Sequence, residues 1–321
     1  MSNYILRRIL ISIPLLFVIS LMTFMFIQLA PGNFFDTLRL EPQISEETII
    51  NYEKLYHLDK PAIVQYLFWL NNLLRFDLGY SFFYNSPVSK IILNRIFNTL
   101  ILSVSALIFT WSVALPLGIL AAVNHNRFID KFFQFLSFLS LSMPNFFLAM
   151  ILLFLASNLR IIPLGGMHSA NFDSFSAPAK ALDILKHLLI PTIVISFAAI
   201  ASLQRIMRGN LLENLRQQYI LAARAKGLPE RRVIYVHALR NAINPLVTIF
   251  GYHLSDLLSG EALIEIICNW PGLGSVMLTA VRAQDIYLVM ASMLMGGILL
   301  LGGNLISDCL LAWFDPRIRY D

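Results

Sequence analysis

Six stretches of this chain are apolar over roughly the length needed to cross a lipid bilayer, and nothing constrains its fold more. They run over about Ile9 to Ala30, Thr99 to Val123, Phe132 to Ser157, Leu188 to Leu203, Ile243 to Ile267 and Ile286 to Phe314. About 20 helical residues cover a hydrocarbon core about 30 Å thick. Inside that core each backbone N–H and C=O must be satisfied within its own segment, so runs of this kind fold as helices. A hydrophobic share of 57% and a mean hydropathy of +0.69 exceed what a water-soluble core requires. The expected fold is an all-α membrane protein with six transmembrane helices. With 13% charged residues and a net charge of +5, the chain lacks the clustered basic face of a nucleic-acid-binding protein.

Arg7 and Arg8 before the first run resemble the start of a secretory signal, but the run is too long for one, and it is expected to be a retained span. Six spans put both termini on one side. If that side is the cytoplasm, residues 124–131, 204–242 and the tail after Phe314 lie there as well. With Arg7 and Arg8, these pieces hold fourteen of the 24 Lys and Arg residues, as the positive-inside rule requires. The expected organisation is a tail and first span over 1–30, an external helical region over 31–98, a membrane core over 99–314 and a short cytoplasmic tail over 315–321.

The external region carries helix signals. Ser45 can cap a helix with Glu46 and Glu47 in its first turn and Ile49, Tyr52 and Tyr56 behind them. A second helix is expected after Asp59, with Asp59 as cap, Pro61 in the first turn, and Val64, Leu67, Phe68, Asn71 and Leu74 at helical spacing beside Tyr66 and Trp69. Pro14, Pro116 and Pro144 fall within the spans, where membrane helices tolerate them; Pro144 is the best kink candidate. Cys268 and Cys309 lack metal or redox spacing and read as apolar filler.

The 204–242 loop carries Arg205, Arg208, Arg216, Arg224, Lys226, Arg231, Arg232 and Arg240 against Glu213 and Glu230. Orientation by positive charge and contact with acidic headgroups account for that excess. They do not account for the order of residues from Tyr219 to Pro229. Leu212 to Lys226 is rich in helix formers, Gly227 supplies a left-handed stop, and Pro229 follows. A short helix with small residues at Ala222, Ala223 and Ala225 lets another surface approach closely, and Arg224 and Lys226 can bond carbonyls or carboxylates around it.

Tyr219 with Ala223-Arg224-Ala225-Lys226-Gly227-Leu228, then His237-Ala238-Leu239-Arg240-Asn241-Ala242 and Pro245, resembles the loop by which dipeptide, oligopeptide and nickel permeases of ATP-binding-cassette importers engage their ATPase. The wider importer pattern begins Glu-Ala-Ala; here Leu221 stands where that Glu would be. The resemblance extends through Leu29-Ala30-Pro31-Gly32, Leu58-Asp59-Lys60-Pro61, Asp77-Leu78-Gly79-Tyr80-Ser81, Ser142-Met143-Pro144-Asn145-Phe146, Trp270-Pro271-Gly272-Leu273-Gly274 and Asp315-Pro316-Arg317-Ile318-Arg319. It implies a bacterial inner-membrane protein that works with a second, similar permease, two cytoplasmic ATP-binding subunits and an extracytoplasmic substrate-binding protein. It also implies that Tyr219, Ala222, Ala223, Arg224, Ala225, Lys226 and Gly227 carry the coupling. The chain has no Gly-x-x-x-x-Gly-Lys-Ser/Thr loop, so no cofactor is expected in it; ATP and magnesium belong to the partner.

Asp256, Glu261 and Asp308 interrupt apolar runs, where a charge near the membrane centre costs about 2.5 to 3.5 kcal/mol. His253, Asp256 and Gly260 share a helical stripe, which fits either a hydrated substrate path or a buried permease interface. Gly297, Asn304 and Asp308 share another, whose glycine suits close helix packing. Glu265 matches an acidic residue of the family, whereas Glu261 stands where the family usually has a small one. The six histidines form no dense ligand cluster, and no metal site is expected. Two other classes compete. An ion-coupled secondary transporter would use Asp256, Glu261 and Asp308 as proton sites, but the docking helix and the lack of repeated halves oppose it. A membrane-embedded hydrolase would need a nucleophile motif that the chain lacks.

Overall fold

The computed structural model describes residues 2–32, 34–39, 45–159, 162–258 and 261–314. In chain order its helices are α1 (Ser2–Leu29), α2 (Phe34–Leu38), α3 (Glu46–Leu55), α4 (Ala62–Leu73), α5 (Val88–Val123), α6 (Phe128–Ser142), α7 (Asn145–Leu159) and α8 (Ala177–Leu215). There follow α9 (Gln218–Ala225), α10 (Glu230–Arg232), a wider π-type turn (Val233–Ala238), α11 (Leu239–Ala242), α12 (Asn244–Leu258), α13 (Ala262–Ile267), α14 (Leu273–Arg282) and α15 (Ile286–Phe314). A two-residue hairpin, β1 (Tyr80–Ser81) with β2 (Ser86–Pro87), is the one sheet among the described residues.

Among the described residues four helices are long and apolar enough to cross a membrane as single rods, and two bent pairs bring the total to six if each is one span. The third expected span is one of those pairs: α6 and α7 diverge by 104° at Met143–Pro144. Met143 is extended, as a residue before proline prefers, so the helix breaks there rather than kinking gently. Helices α1, α5 and α8 continue through Pro14, Pro116 and Pro191. The fifth span also differs from expectation. Its helical rod begins at Glu230, well before Ile243, and bends by 44° at α12. Most of the expected 204–242 loop is therefore helix. Gly260 and the tail from Asp315 lie outside the described residues.

The described residues form two compact units. One combines the chain up to Thr99 with Pro271–Leu301. In it Ser45 caps α3 by accepting from the Thr48 N–H, as expected, and Ile49 is buried. Helix α4 departs from expectation. Its N-cap is Pro61, with no side-chain cap, and Asp59 pairs with Lys60 instead. Its inward face is Tyr66 and Trp69, packed with Phe24, Met290 and Leu294, while Leu67, Phe68 and Leu74 are exposed. Tyr66 Oη and Ser20 Oγ are 2.9 Å apart, which ties that aromatic face to α1 and leaves the aliphatic stripe outside. Gly297 of α15 approaches Leu16 and Ile19 closely, whereas Gly296 faces open space. The amphipathic α14, not anticipated from the sequence, buries Leu273, Val276 and Ala280 against Val88, Ile92 and Leu288.

The second unit comprises Leu100–Trp270 and the chain from Gly302. Two apolar clusters fill it. The first joins Leu102 and Ala106 of α5 and Ala149 and Ala156 of α7 to Leu188, Val194 and Ile195 of α8, with Ile264, Cys268 and Trp270. The second joins Ala114 and Ala122 of α5 and Leu203, Met207 and Leu211 of α8 to residues of α9, the π-type turn, α11 and α12. Gly118 lets α5 and α8 touch, because a Cβ there would lie 2.8 Å from the Gln204 carbonyl oxygen and 2.7 Å from Met207 Cβ.

Candidate functional site

The basic stretch after the fourth span folds as a short helix seated on the second apolar cluster. The helix is shorter than expected. Leu212 to Leu215 continue α8, the chain turns at Arg216 and Gln217, and α9 begins at Gln218. Its end is as expected: Gly227 has φ +77°, its N–H bonds the Arg224 carbonyl, and the Leu228 N–H reaches back to Ala223. This pair of bonds satisfies carbonyls that a helix end would otherwise leave open.

Ile220 and Ala223 point inward and pack with Leu203, Met207, Leu211 and Val233. Ala223 thus serves the chain's own core, which corrects the expectation that all three alanines face a partner. Leu221, Ala222, Arg224, Ala225, Lys226 and Gly227 are exposed, and Tyr219 is 40% exposed. Tyr219 Oη donates to Asn214 Oδ1 (2.9 Å), Asn214 Nδ2 to the Asn210 carbonyl (2.8 Å), and Asn210 Nδ2 to the Ala242 carbonyl (3.3 Å). This chain ties α9 to the end of α8 and to α11. Arg224 bonds Glu230 at 2.6 and 3.2 Å, and the neighbouring carboxylate raises the Arg224 pKa further. Both side chains are well exposed, so the pair contributes at most about 1 kcal/mol.

One pairing beside this helix was not read from the sequence. Asp130, fully buried at the start of α6, accepts from Arg208 of α8 at 2.6 and 2.8 Å, from the Asn126 N–H and from Gln134. Arg208 is therefore more than an orienting charge. The available signal was that Asp130 is the one acidic residue in the basic 124–131 segment. Further along α6, Ser137 Oγ donates to Gln204 Oε1 and Ser140 Oγ to the Phe197 carbonyl, which extends the polar seam between α6 and α8.

His253 and Asp256 share one face of α12. His253 lies edge-on to Trp111 at 6.3 Å, and Trp111 also meets Phe250 at 5.1 Å. Asp256 is exposed. Asp308 is half-buried, Glu265 is fully buried, and Glu261 is half-buried beside Asn145. Cys268 lies inside the first cluster, where burial pushes its thiol up to about 11, consistent with an apolar role.

Comparison with known proteins adds to this geometry. Residues 114–320 match the family described as binding-protein-dependent transport system inner membrane component, and residues 1–103 match its N-terminal counterpart. The chain is 38% identical over 322 residues to the oligopeptide transport system permease protein AppB of Bacillus subtilis, with both chains covered in full. It is 35% identical to a putative peptide permease of Brucella suis, with 99% of each chain covered. It is also 35% identical to the dipeptide transport system permease protein DppB of Lactococcus lactis, with 99% of this chain and 100% of that one covered.

Proposed function

Because this chain belongs to the family of binding-protein-dependent transport system inner membrane components, we propose that it is the permease subunit of an ATP-driven importer that carries peptides. It is a multi-pass inner-membrane protein, and in this reading both termini face the cytoplasm. Its partners are a second permease of the same kind, two cytoplasmic ATP-binding subunits and an extracytoplasmic binding protein. ATP and magnesium act on the ATP-binding subunits, and this chain does no chemistry. Peptide as cargo is supported by the names of the relatives.

The observation that carries the mechanism is the two-sidedness of α9. One face, Ile220 and Ala223, is packed on the core of α8; the other, with Leu221, Ala222, Arg224, Ala225 and Lys226, is exposed. When the ATPases close on ATP, a surface that grips the exposed face moves α9, and the packed face transmits that motion to α8 as a rigid element. In this reading His253 and Asp256, which share one face of α12, line the translocation path. The test is reconstitution with the other subunits in proteoliposomes. Peptide uptake should require ATP and the binding protein and need no ion gradient. Uptake that persists without ATP, or that follows a proton or sodium gradient, overturns the reading.

A further inference from the structure

Two helical segments meet at Glu261. One is α6 and α7, broken at Met143–Pro144, with Asn145 opening α7. The other is α13, which departs from Glu261. Asn145 Nδ2 donates to the two Glu261 oxygens at 3.3 and 3.5 Å, long distances for bonds to a carboxylate.

The structural roles that would explain an acid at this position are missing. Glu261 occupies the N-cap of α13, yet its side chain makes no capping bond. Among the described residues no Lys, Arg or His pairs with it. Other carboxylates of the same unit are better satisfied: Asp130 accepts from Arg208, Gln134 and Asn126, and Asp183 accepts from the Ser169 N–H at 2.8 Å and its Oγ at 2.6 Å. Glu261 is half-buried and has one weak neutral donor. A charged group within a membrane chain that is neither capped nor paired is costly unless something else uses it.

The donor set indicates what that is. Asn145 supplies two long bonds and no charge, so both Glu261 oxygens keep acceptor capacity for a stronger donor. An ammonium group brings three N–H donors and the positive charge that this carboxylate lacks among the described residues. Breaks in membrane helices are also where polar backbone and side chains become available to cargo.

We propose that Glu261, held by Asn145, receives the ammonium groups of basic peptides in transit and makes this permease favour them. The inference rests on the peptide reading above. Its test uses the complete reconstituted transporter at saturating loaded binding protein, with a lysine-containing tripeptide and its norleucine counterpart. Maximal rates at saturation remove the binding protein's own preference. The wild type should carry the lysine peptide faster. E261Q should slow the lysine peptide about tenfold more than the norleucine peptide, the factor that corresponds to about 1.4 kcal/mol of lost charge-assisted contact. E261D, which keeps the charge, should retain the preference. Equal wild-type rates, or a fall in E261Q that is the same for both peptides, overturn the proposal. If the wild type carries neither peptide, the peptide reading itself fails; loss of the lysine preference alone overturns only this inference.

Discussion

Arg208 grips Asp130 with two hydrogen bonds of 2.6 and 2.8 Å, and the carboxylate it holds is fully buried. The pair ties the start of α6 to α8, one turn before Leu211 and Leu212 lead towards α9. Breaking a buried pair by removing one partner costs about 3 to 5 kcal/mol, because the other charge is left without compensation. Arg208 is 19% exposed, so the lower end applies. R208A should therefore lower the thermal unfolding midpoint in detergent clearly, and adding D130N should recover part of the loss, since Asn126 and Gln134 can still bond a neutral amide. Equal midpoints for wild type and R208A would show that the pair is dispensable.

Ala223 and Ala222 are adjacent in sequence and opposite in role. Ala223 is 8% exposed and packs in the core, whereas Ala222 is exposed. A223L forces extra methylenes into a filled cluster, at about 1 to 3 kcal/mol. A222L adds them to an open surface and should leave the unfolding midpoint within about 0.5 kcal/mol of wild type. In the proposed mechanism A222L should instead lower transport and transport-stimulated ATP hydrolysis in the assembled complex. If A222L transported normally while A223L unfolded, α9 would be a structural helix rather than a docking one.

Local chemistry explains which parts of this structure were legible in the sequence. The first, second, fourth and sixth apolar runs, the Ser45 cap, the disruption at Pro144 and the stop at Gly227 each depend on residues within one or two turns, and each appears in the structure. The Asp130–Arg208 pair spans 78 positions and Ser81–Asp285 spans 204, and no spacing rule reaches that far. Helix α4 was read on its aliphatic stripe, whereas packing chose Tyr66 and Trp69, because Ser20 gave the buried Tyr66 hydroxyl a partner. The inward turn of Ala223 was also hidden, since small residues at consecutive positions do not reveal which of them meets the core.

Asp285 organises the other unit in a comparable way. Its Oδ2 accepts from Ser81 Oγ at 2.6 Å and from the Phe83 N–H at 3.1 Å, and its Oδ1 accepts from the Leu288 N–H at 3.3 Å, just inside α15. One side chain thus caps the last span and pins the hairpin. Burial raises its pKa, while these bonds, which favour the anion, pull it back. D285A leaves the Ser81 hydroxyl and two backbone N–H groups without their acceptor and should cost about 1 to 3 kcal/mol. D285N keeps an acceptor and should cost less. Detergent unfolding curves for the two variants check the order, and a D285A midpoint at or above that of D285N would refute it.

Gly227 separates backbone strain from partner contact. At φ +77° an L-residue is strained by about 1 to 2 kcal/mol, and no atom lies within 4 Å of where its Cβ would be. Inside this chain, then, substitution meets only the backbone term. Asn tolerates the left-handed region, so G227N should fold and couple nearly as wild type, and G227A should lose stability by about that strain alone. G227D fills the same open space with a comparable volume and adds a negative charge beside Lys226 on the exposed face. Its stability should resemble that of G227N. If this face docks on an ATPase, stimulated ATP hydrolysis and peptide uptake in G227D should nevertheless fall well below those of G227N at equal membrane levels. Equal transport by the two would locate the effect of Gly227 in the helix stop and remove it from the docking surface.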